Sequence, residues 1–277
     1  SGSGNVVVGA YNLSAANTQT TGNNFLGFTL VGSLTVNPLT LAANELGISG
    51  VNKVYNGNNS ITGLTLNVSP LLSRVISGDN VNVLGTGTFD NANVGTSKAI
   101  TLNVALSGAD SGNYVLSNNQ LNNNSGSITQ LASVTYVGAN GGNWSNASNW
   151  AGGAIPTLSN VAQVIIPVGS TVSYDNAAMS GLLPTSTITN NGTIAFNGSN
   201  NFEFTNIVSG TGSISQSGAG VLTLSSANTN TGDTFLNSGT LVVNHANALA
   251  TRIIAANGGA LKVANGITLA DLTVNGS

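Results

Sequence analysis

Charge is what this 277-residue chain has least of. Five basic residues (Lys53, Arg74, Lys98, Arg252, Lys262) and eight acidic ones make up 5% of it, against roughly 25% in an ordinary soluble domain. The net charge of −3 is not gathered into clusters. Nucleic acid is therefore not an expected partner, because binding it needs a basic stripe that displaces counterions. Anionic membrane surfaces are disfavoured for the same reason. Cysteine is absent altogether, which excludes disulfides, thiolate metal sites and cysteine nucleophiles. No apolar run approaches the 18 residues or so that a membrane-spanning helix needs, so membrane insertion is not expected. The first residues are Ser1-Gly2-Ser3-Gly4 rather than Met. The expectation is a chain processed or excised from something longer.

What fills the chain instead is Asn, Gly, Ser and Thr, with 43 asparagines and 36 glycines. A disordered chain would be charged and poor in aliphatics. Here 40% of the residues are hydrophobic and fall in short alternating runs, the period of β-strands. The length is enough for about two domains. Asn tolerates positive φ in turns, and stacked at equal positions it forms amide ladders of the cross-β kind. Nine Asn-x-Ser/Thr sequons (at Asn12, Asn58, Asn67, Asn123, Asn143, Asn146, Asn191, Asn197 and Asn275) match what this composition gives by chance, and carry no evidence of glycosylation.

The most regular stretch is Gly210 to Val243. Short β-runs (Ser213–Ser215, Val221–Leu224, Thr240–Val243) are punctuated by Gly and Asn. Gly192–Phe196, Gly220–Leu224, Gly239–Val243 and Gly259–Val263 share the form Gly-x-apolar-x-apolar. Gly220, Gly239 and Gly259 lie about 20 residues apart, as do Gly192 and Gly212. Such a period predicts a stacked solenoid, since one rung cannot bury its own apolar face. The expected core residues are Ile214, Leu222, Leu224, Leu241, Val243, Leu261 and Val263.

The order of Gly, apolar pair, Ala-Asn, Thr-Gly and Gly-Thr-Leu-Val over these residues resembles the passenger-associated repeat of bacterial autotransporters and related exported adhesins. Asn230 departs from it where an aromatic is common, and Asp233 where a second Gly is common. The resemblance implies a right-handed parallel β-helix on an exported surface protein. A second resemblance lies upstream. Lys53–Gly57, Gly78-Asp79, Gly85–Phe89, Asn93–Gly95, Lys98-Ala99 and Leu106–Tyr114 are similar to the YDG/MBG modules of large exported adhesins, with Asn56 in place of the Asp that names the motif. That resemblance implies a stalk or spacer unit used in tandem. Together they resemble a large, filamentous-haemagglutinin-like adhesin, exported by an autotransporter or, by analogy of module types, a two-partner route.

The expected fold is all-β: β-sandwich-like modules followed by a parallel β-helix. Residues 1–38 read as the C-terminal half of a preceding module. Gly9–Ser14 resembles Gly112–Ser117, and Gly32–Thr35 resembles Gly126–Thr129. Residues 39–131 read as one complete module, with strands expected at Leu39–Leu41, Ile61–Val68, Val81–Leu84, Ile100–Leu106, Tyr114–Leu116 and Ser127–Thr129. Residues 132–277 read as the β-helix, with the passenger-type repeat at 210–243. The last run, Ile267–Val274, shows no polar cap. It is expected to have been cut inside an array or to be covered by another chain.

Candidate chemistry is sparse. Trp144 and Trp150 are the candidate ligand-binding pair. An even spacing of six can place both rings on one face of a strand, where sugars stack. The competing expectation is that they cover the open end of the first rung. His245 lacks an evident catalytic partner and reads as a loop residue. The carboxylates are scattered and match no calcium-binding loop, so no metal site is expected. Arg252, Asp233 and Asp271 form the one weak acid–base cluster that stacking could assemble for a lyase. The expectation is a non-enzymatic, cofactor-free stalk and adhesion segment at the bacterial cell surface or outside it, serving surface or biofilm attachment. Its expected partners are copies of itself or neighbouring modules, with host or matrix glycans behind them. The alternative is a subunit that assembles head to tail into a filament or sheath, followed by a glycan-binding module and a polysaccharide lyase.

Overall fold

A computed structural model describes residues 6–16, 29–157, 160–179, 187–249, 253–269 and 272–276. Two compact units emerge: residues 1–52, 60–90 and 97–126 form one, and residues 53–59, 91–96 and 127–277 the other.

The first unit is built mainly from antiparallel pairs. Strands β1 (Gly9–Ala16) and β2 (Thr29–Val36) form a ladder running from Gly9 opposite Val36 to Ala16 opposite Thr29. After β3 (Leu39–Leu41) come β4 (Gly47–Ser49), β5 (Asn52–Val54), β6 (Ser60–Ile61) and β7 (Thr65–Asn67). Two long strands follow, β8 (Asn82–Phe89) and β9 (Gly95–Ser107), paired from Asn82 opposite Ser107 to Phe89 opposite Ile100. β10 (Tyr114–Leu116) pairs in parallel with β3, and β11 (Gln120–Thr129) joins the large sheet beside β9.

Leu41, Leu46, Leu71, Val81, Val104 and Tyr114 close the core of this unit. Tyr114 belongs there because its hydroxyl has partners: it accepts from Ile76 N at 3.0 Å and donates to Asp79 Oδ2 at 2.7 Å. A buried phenol without such partners would cost about 1–3 kcal/mol. The strands expected from alternation are all present, and β8, β9 and β11 run longer than expected. The expected run Ile61–Val68 is split into β6 and β7 around Thr62–Leu64.

The second unit is a β-solenoid of about 4 turns. It opens with β12 (Val134–Thr135) and β13 (Gly142–Asn143). The next pass holds β14 (Gln163–Ile166) and β15 (Thr171–Tyr174). Three-sided passes follow: β16 (Thr187–Asn190), β17 (Thr193–Phe196) and β18 (Phe202–Phe204), then β19 (Val208–Ser209), β20 (Ser213–Gln216) and β21 (Val221–Leu224). β22 (Thr234–Leu236), β23 (Thr240–Val243), β24 (Ile253–Ala256), β25 (Ala260–Val263) and β26 (Thr273–Gly276) continue the stack. Three parallel sheets result, in the orders β12-β14-β16-β19, β13-β15-β17-β20-β22-β24-β26 and β18-β21-β23-β25.

The register is in step from pass to pass. In the seven-stranded sheet Val172, Ile194, Ile214, Thr234, Ile254 and Val274 stand in one column. In the third sheet Phe202, Leu222, Leu241 and Leu261 do the same. Because side chains alternate faces with a period of 2, this register puts each column on one face; Val172, Ile194, Ile214, Thr234 and Ile254 are buried, while Val274 in the outer strand β26 is exposed. The recurring form Gly-x-apolar-x-apolar thus belongs to two different sheets: Gly192–Phe196 leads into the seven-stranded one, while Gly220–Leu224, Gly239–Val243 and Gly259–Val263 lead into the third. Ile214, Leu222, Leu224, Leu241 and Val243 are buried as expected, but Leu261 is half-buried and Val263 is exposed at 43%. β25 is the outer strand of its sheet, so Val263 has a neighbouring strand on one side only.

Turns set how closely the passes approach. A Cβ added at Gly212 would lie 2.3 Å from the Gly192 carbonyl oxygen, and one at Gly232 2.5 Å from the Gly212 carbonyl. The spacing of 20 between these glycines is thus a packing requirement. Gly212→Ala is expected to cost about 1–3 kcal/mol through overpacking, and Leu224→Ala about 2–5 kcal/mol through the lost contacts and cavity. Gly112, where an added Cβ meets nothing within 4 Å, serves as the control: Gly112→Ala should stay within about 0.5 kcal/mol of the parent in chemical denaturation.

Candidate functional site

The segment that begins the solenoid carries both tryptophans. The chain doubles back so that Tyr136 bridges Trp150 in antiparallel fashion. Asn149 locks the loop by donating its side-chain amide to Asn143 O at 2.8 Å, while its carbonyl accepts from Val137 N at 2.8 Å. Trp144 follows β13, which pairs with β15, so its ring comes over Tyr174 in the next pass.

Both tryptophans are buried, Trp144 at 0% exposure and Trp150 at 1%. Their ring centroids are 4.7 Å apart and edge-on. Trp150 Nε1 donates to Trp144 O at 2.7 Å, and Trp144 Nε1 donates to Pro156 O at 3.2 Å. Stacking on a sugar needs an open ring face, and burial withholds it from both residues. The geometry is instead that of a packed end layer with every indole N–H satisfied.

From this layer the rings continue inward. Tyr174 lies 5.0 Å from Trp144 and 5.2 Å from both Phe196 and Phe202, and Phe204 lies 5.0 Å from Phe196. Seven of the fourteen aromatics of the chain are therefore in this one cluster, which includes Tyr136. Burial pushes the Tyr174 phenol far above its ordinary pKa, with the nearby Asp175 charge adding to the shift. Tyr136 is raised as well, again by burial first.

Further along, the column changes character. The positions in register with Tyr174 are Phe196, Gln216, Leu236 and Ala256. Gln216 is buried and donates to Gly218 O at 2.9 Å and Gly220 O at 3.0 Å. Asn190, Asn228 and Asn230 are likewise buried. Asn228 accepts from Val208 N and donates to Ala248 O one pass on, at 2.9 and 2.8 Å. Asn230, where the passenger-type repeat usually has an aromatic, donates to Gly212 O at 3.0 Å and Gly232 O at 3.2 Å. Interior amides thus tie successive turns by their backbone carbonyls.

A second amide series runs outside. Asn197, Ser217, Asn237 and Asn257 follow the seven-stranded sheet at equal positions. Asn257 Nδ2 donates to Asn237 Oδ1 at 2.8 Å, and Asn237 Nδ2 donates to Ser217 Oγ and Ser215 Oγ at 3.0 Å. Asn197 donates to Ser173 Oγ. The ladder of amides read from composition exists, mixed with serine.

No catalytic constellation accompanies it among the described residues. His245 Nδ1 accepts from Asn247 N at 3.0 Å, a local turn bond. Arg252 and Asp271 lie outside the described residues. Five of the other carboxylates are engaged with non-catalytic partners: Glu45 with Arg74, Asp90 with Lys98 at 2.9 Å, Asp110 with Asn80 N at 2.9 Å, Asp175 with Ser145 Oγ at 3.1 Å, and Glu203 with Ser225 Oγ at 2.6 Å. No group of three or more His, Cys, Asp or Glu residues that could hold a metal is present among the described residues. An open groove of about 570 Å³ in the first unit runs along Val104–Leu106 and Ser111–Asn119, with Tyr114 its one titratable lining residue.

Comparison with known families gives two matches. Residues 35–121 match the YDG domain, and residues 214–243 match the passenger-associated-transport-repeat. No curated protein and no solved structure matches the chain. The second match runs from Ile214 in β20 to Val243 at the end of β23 and so covers about one and a half turns of the solenoid. The passenger repeat and the solenoid fit an exported surface passenger segment. No described helix is long and apolar enough to cross a membrane.

Tyr174 provides a pH test of the aromatic cluster. An unfolded tyrosine titrates near 10, whereas the buried phenol keeps its proton to higher pH. Above about pH 10 the unfolded state therefore holds fewer protons than the folded one. Stability should fall as pH rises, by up to about 1.4 kcal/mol per pH unit for this one group. Alkaline denaturation curves of Tyr174→Phe should be shallower by about one proton.

Proposed function

We propose that this chain is a structural stalk and adhesion segment of an exported bacterial surface protein, serving attachment to surfaces or within biofilms. The observation that carries the reading is that the passenger-type repeat lies wholly within the solenoid, where its strands β20 and β22, and β21 and β23, stack in register from one turn to the next. A solenoid transmits load through backbone ladders that act side by side on each turn, and each turn contacts only its neighbours. Export is compatible with the composition. Without cysteine no disulfide can lock the chain before it crosses a membrane pore.

The outer faces suit attachment more than catalysis. The outward column of the third sheet reads Glu203, Thr223, Val242 and Lys262, a mixed, nearly neutral surface. It offers hydroxyls and methyl groups to a partner without the concentrated charge that steers nucleic acid. The YDG match upstream supports the stalk part of the reading, with the first unit as spacer.

The test is surface display. The chain is joined to a secretion signal and an outer-membrane barrel in a Gram-negative host. The expected result is protease-accessible protein on intact cells together with increased retention of those cells on abiotic and matrix-coated surfaces. Surface-exposed protein with retention no different from cells displaying an unrelated β-solenoid overturns the adhesion reading.

A further inference from the structure

The asparagine-rich turns contain seven Asn-Gly steps, at Asn56, Asn140, Asn191, Asn197, Asn257, Asn265 and Asn275. Such a step is chemically reactive because glycine, lacking a Cβ, lets its backbone nitrogen approach the preceding side-chain carbonyl. The Gly nitrogen attacks the Asn Cγ and loses its proton to solvent. The Cγ–Nδ2 bond breaks and ammonia leaves, giving a cyclic succinimide. Water then opens the ring at either carbonyl to give Asp or isoaspartate. The net reaction consumes one water and releases one ammonia.

Hydrogen bonds or close packing restrain six of these steps. At Asn191-Gly192 the side-chain oxygen accepts from Thr211 N at 3.1 Å while Gly192 N donates to Asn190 Oδ1 at 3.1 Å. At Asn140-Gly141 the oxygen accepts from Thr171 N at 2.9 Å and Gly141 N donates to Thr171 O at 2.8 Å. At Asn257-Gly258 the amide donates to Asn237 Oδ1 at 2.8 Å and Gly258 N donates to Leu236 O at 3.2 Å. Asn197 donates its amide to Ser173 Oγ. Asn275 and Gly276 are held in the extended ladder of β26, which fixes the dihedrals that ring closure must rotate. At Asn56 the side-chain oxygen accepts only a long 3.4 Å bond from Asn58 N, but Gly57 is packed so that an added Cβ would lie 2.5 Å from Gly153 O.

Asn265-Gly266 differs from all of them. Both residues are exposed in the turn between β25 and β26. The turn is closed by Ile267 N donating to Ala264 O at 3.1 Å, a bond that involves neither residue of the step. Neither the Asn265 side chain nor the Gly266 N–H has a hydrogen-bond partner among the described residues. An added Cβ at Gly266 would meet nothing within 4 Å, so the backbone is free of packing at the reacting atoms.

We propose that Asn265 is a site of spontaneous succinimide formation, giving aspartate and isoaspartate in the last turn of the solenoid while the stacked Asn-Gly steps are protected. The product places a new carboxylate three residues from Lys262 and, in the isoaspartyl form, an extra methylene in the backbone between two rungs. Protection follows from hydrogen bonds that must open before the ring can close. One ordinary bond slows the step about fivefold, and two about thirtyfold.

The experiment incubates the full folded chain in mildly alkaline buffer at physiological temperature. Peptide mapping and enzymatic isoaspartyl methylation then follow each of the seven steps, with a denatured sample alongside. Asn265 should convert first in the folded chain, about thirtyfold faster than Asn140, Asn191 and Asn257, and the denatured chain should bring the steps within a few-fold of one another. Asn265→Gln should remove the leading isoaspartyl signal without changing the far-ultraviolet circular dichroism. Conversion of Asn191 or Asn257 in the folded chain as fast as that of Asn265 overturns the proposal, as does an Asn265 that stays intact while others convert.

Discussion

Everything in the second unit depends on one constraint: a turn of about 20 residues must lie on the turn before it with its inward columns in step. A single pass of three short strands cannot bury its own apolar side chains. Stacked, it buries Leu222 on Leu241 and Leu224 on Val243, and its backbone groups pair with the passes on either side. The constraint reaches to individual atoms. Gly212 and Gly232 have no side chain because the previous pass occupies that space, and the side-chain N–H groups of interior Gln216, Asn228 and Asn230 donate to backbone carbonyls of their own or a neighbouring turn.

The interior is graded along the axis. Near its start it is aromatic, from Trp150 and Trp144 through Tyr174 to Phe196, Phe202 and Phe204. Past Phe196 the same column holds Gln216 and Leu236. Aromatic pairs contribute about 0.5–1.5 kcal/mol each beyond the area they bury, whereas a buried amide gives a net gain of only about 1 kcal/mol per hydrogen bond and is costly when left unsatisfied. The start of the solenoid therefore has the stronger cohesion. The tryptophans serve that end, and their burial removes them from contact with ligands.

Much of this was legible in the sequence. The all-β class, the solenoid and its period followed from alternating runs and recurrent glycines, because strand period and rung length are direct imprints of backbone geometry. The amide ladder followed from the asparagine content. Which sheet each run joins did not: Gly192–Phe196 and Gly220–Leu224 look alike yet lie on different faces, since a local pattern does not encode the corner between them. Residues at strict steps of 20, such as Phe196, Gln216, Leu236 and Ala256, carried the missing information. The tryptophans illustrate the other limit. An even spacing of six suits a strand face, but the 3-10 turns at Ala147–Asn149 and Ala151–Gly153 break that strand and fold both rings inward.

Register between turns is the claim on which the rest stands, and the absence of native cysteine allows it to be measured directly. Thr223 and Val242 face outward at paired positions of β21 and β23. Neighbouring strands lie about 4.8 Å apart, within the Cα range a disulfide spans. Thr223→Cys with Val242→Cys should therefore form an intramolecular disulfide in the folded chain on mild oxidation. Thr223→Cys with Val243→Cys should not, because Val243 points to the opposite face. Cross-linking of the second pair in place of the first would contradict the stacked, in-register solenoid described above.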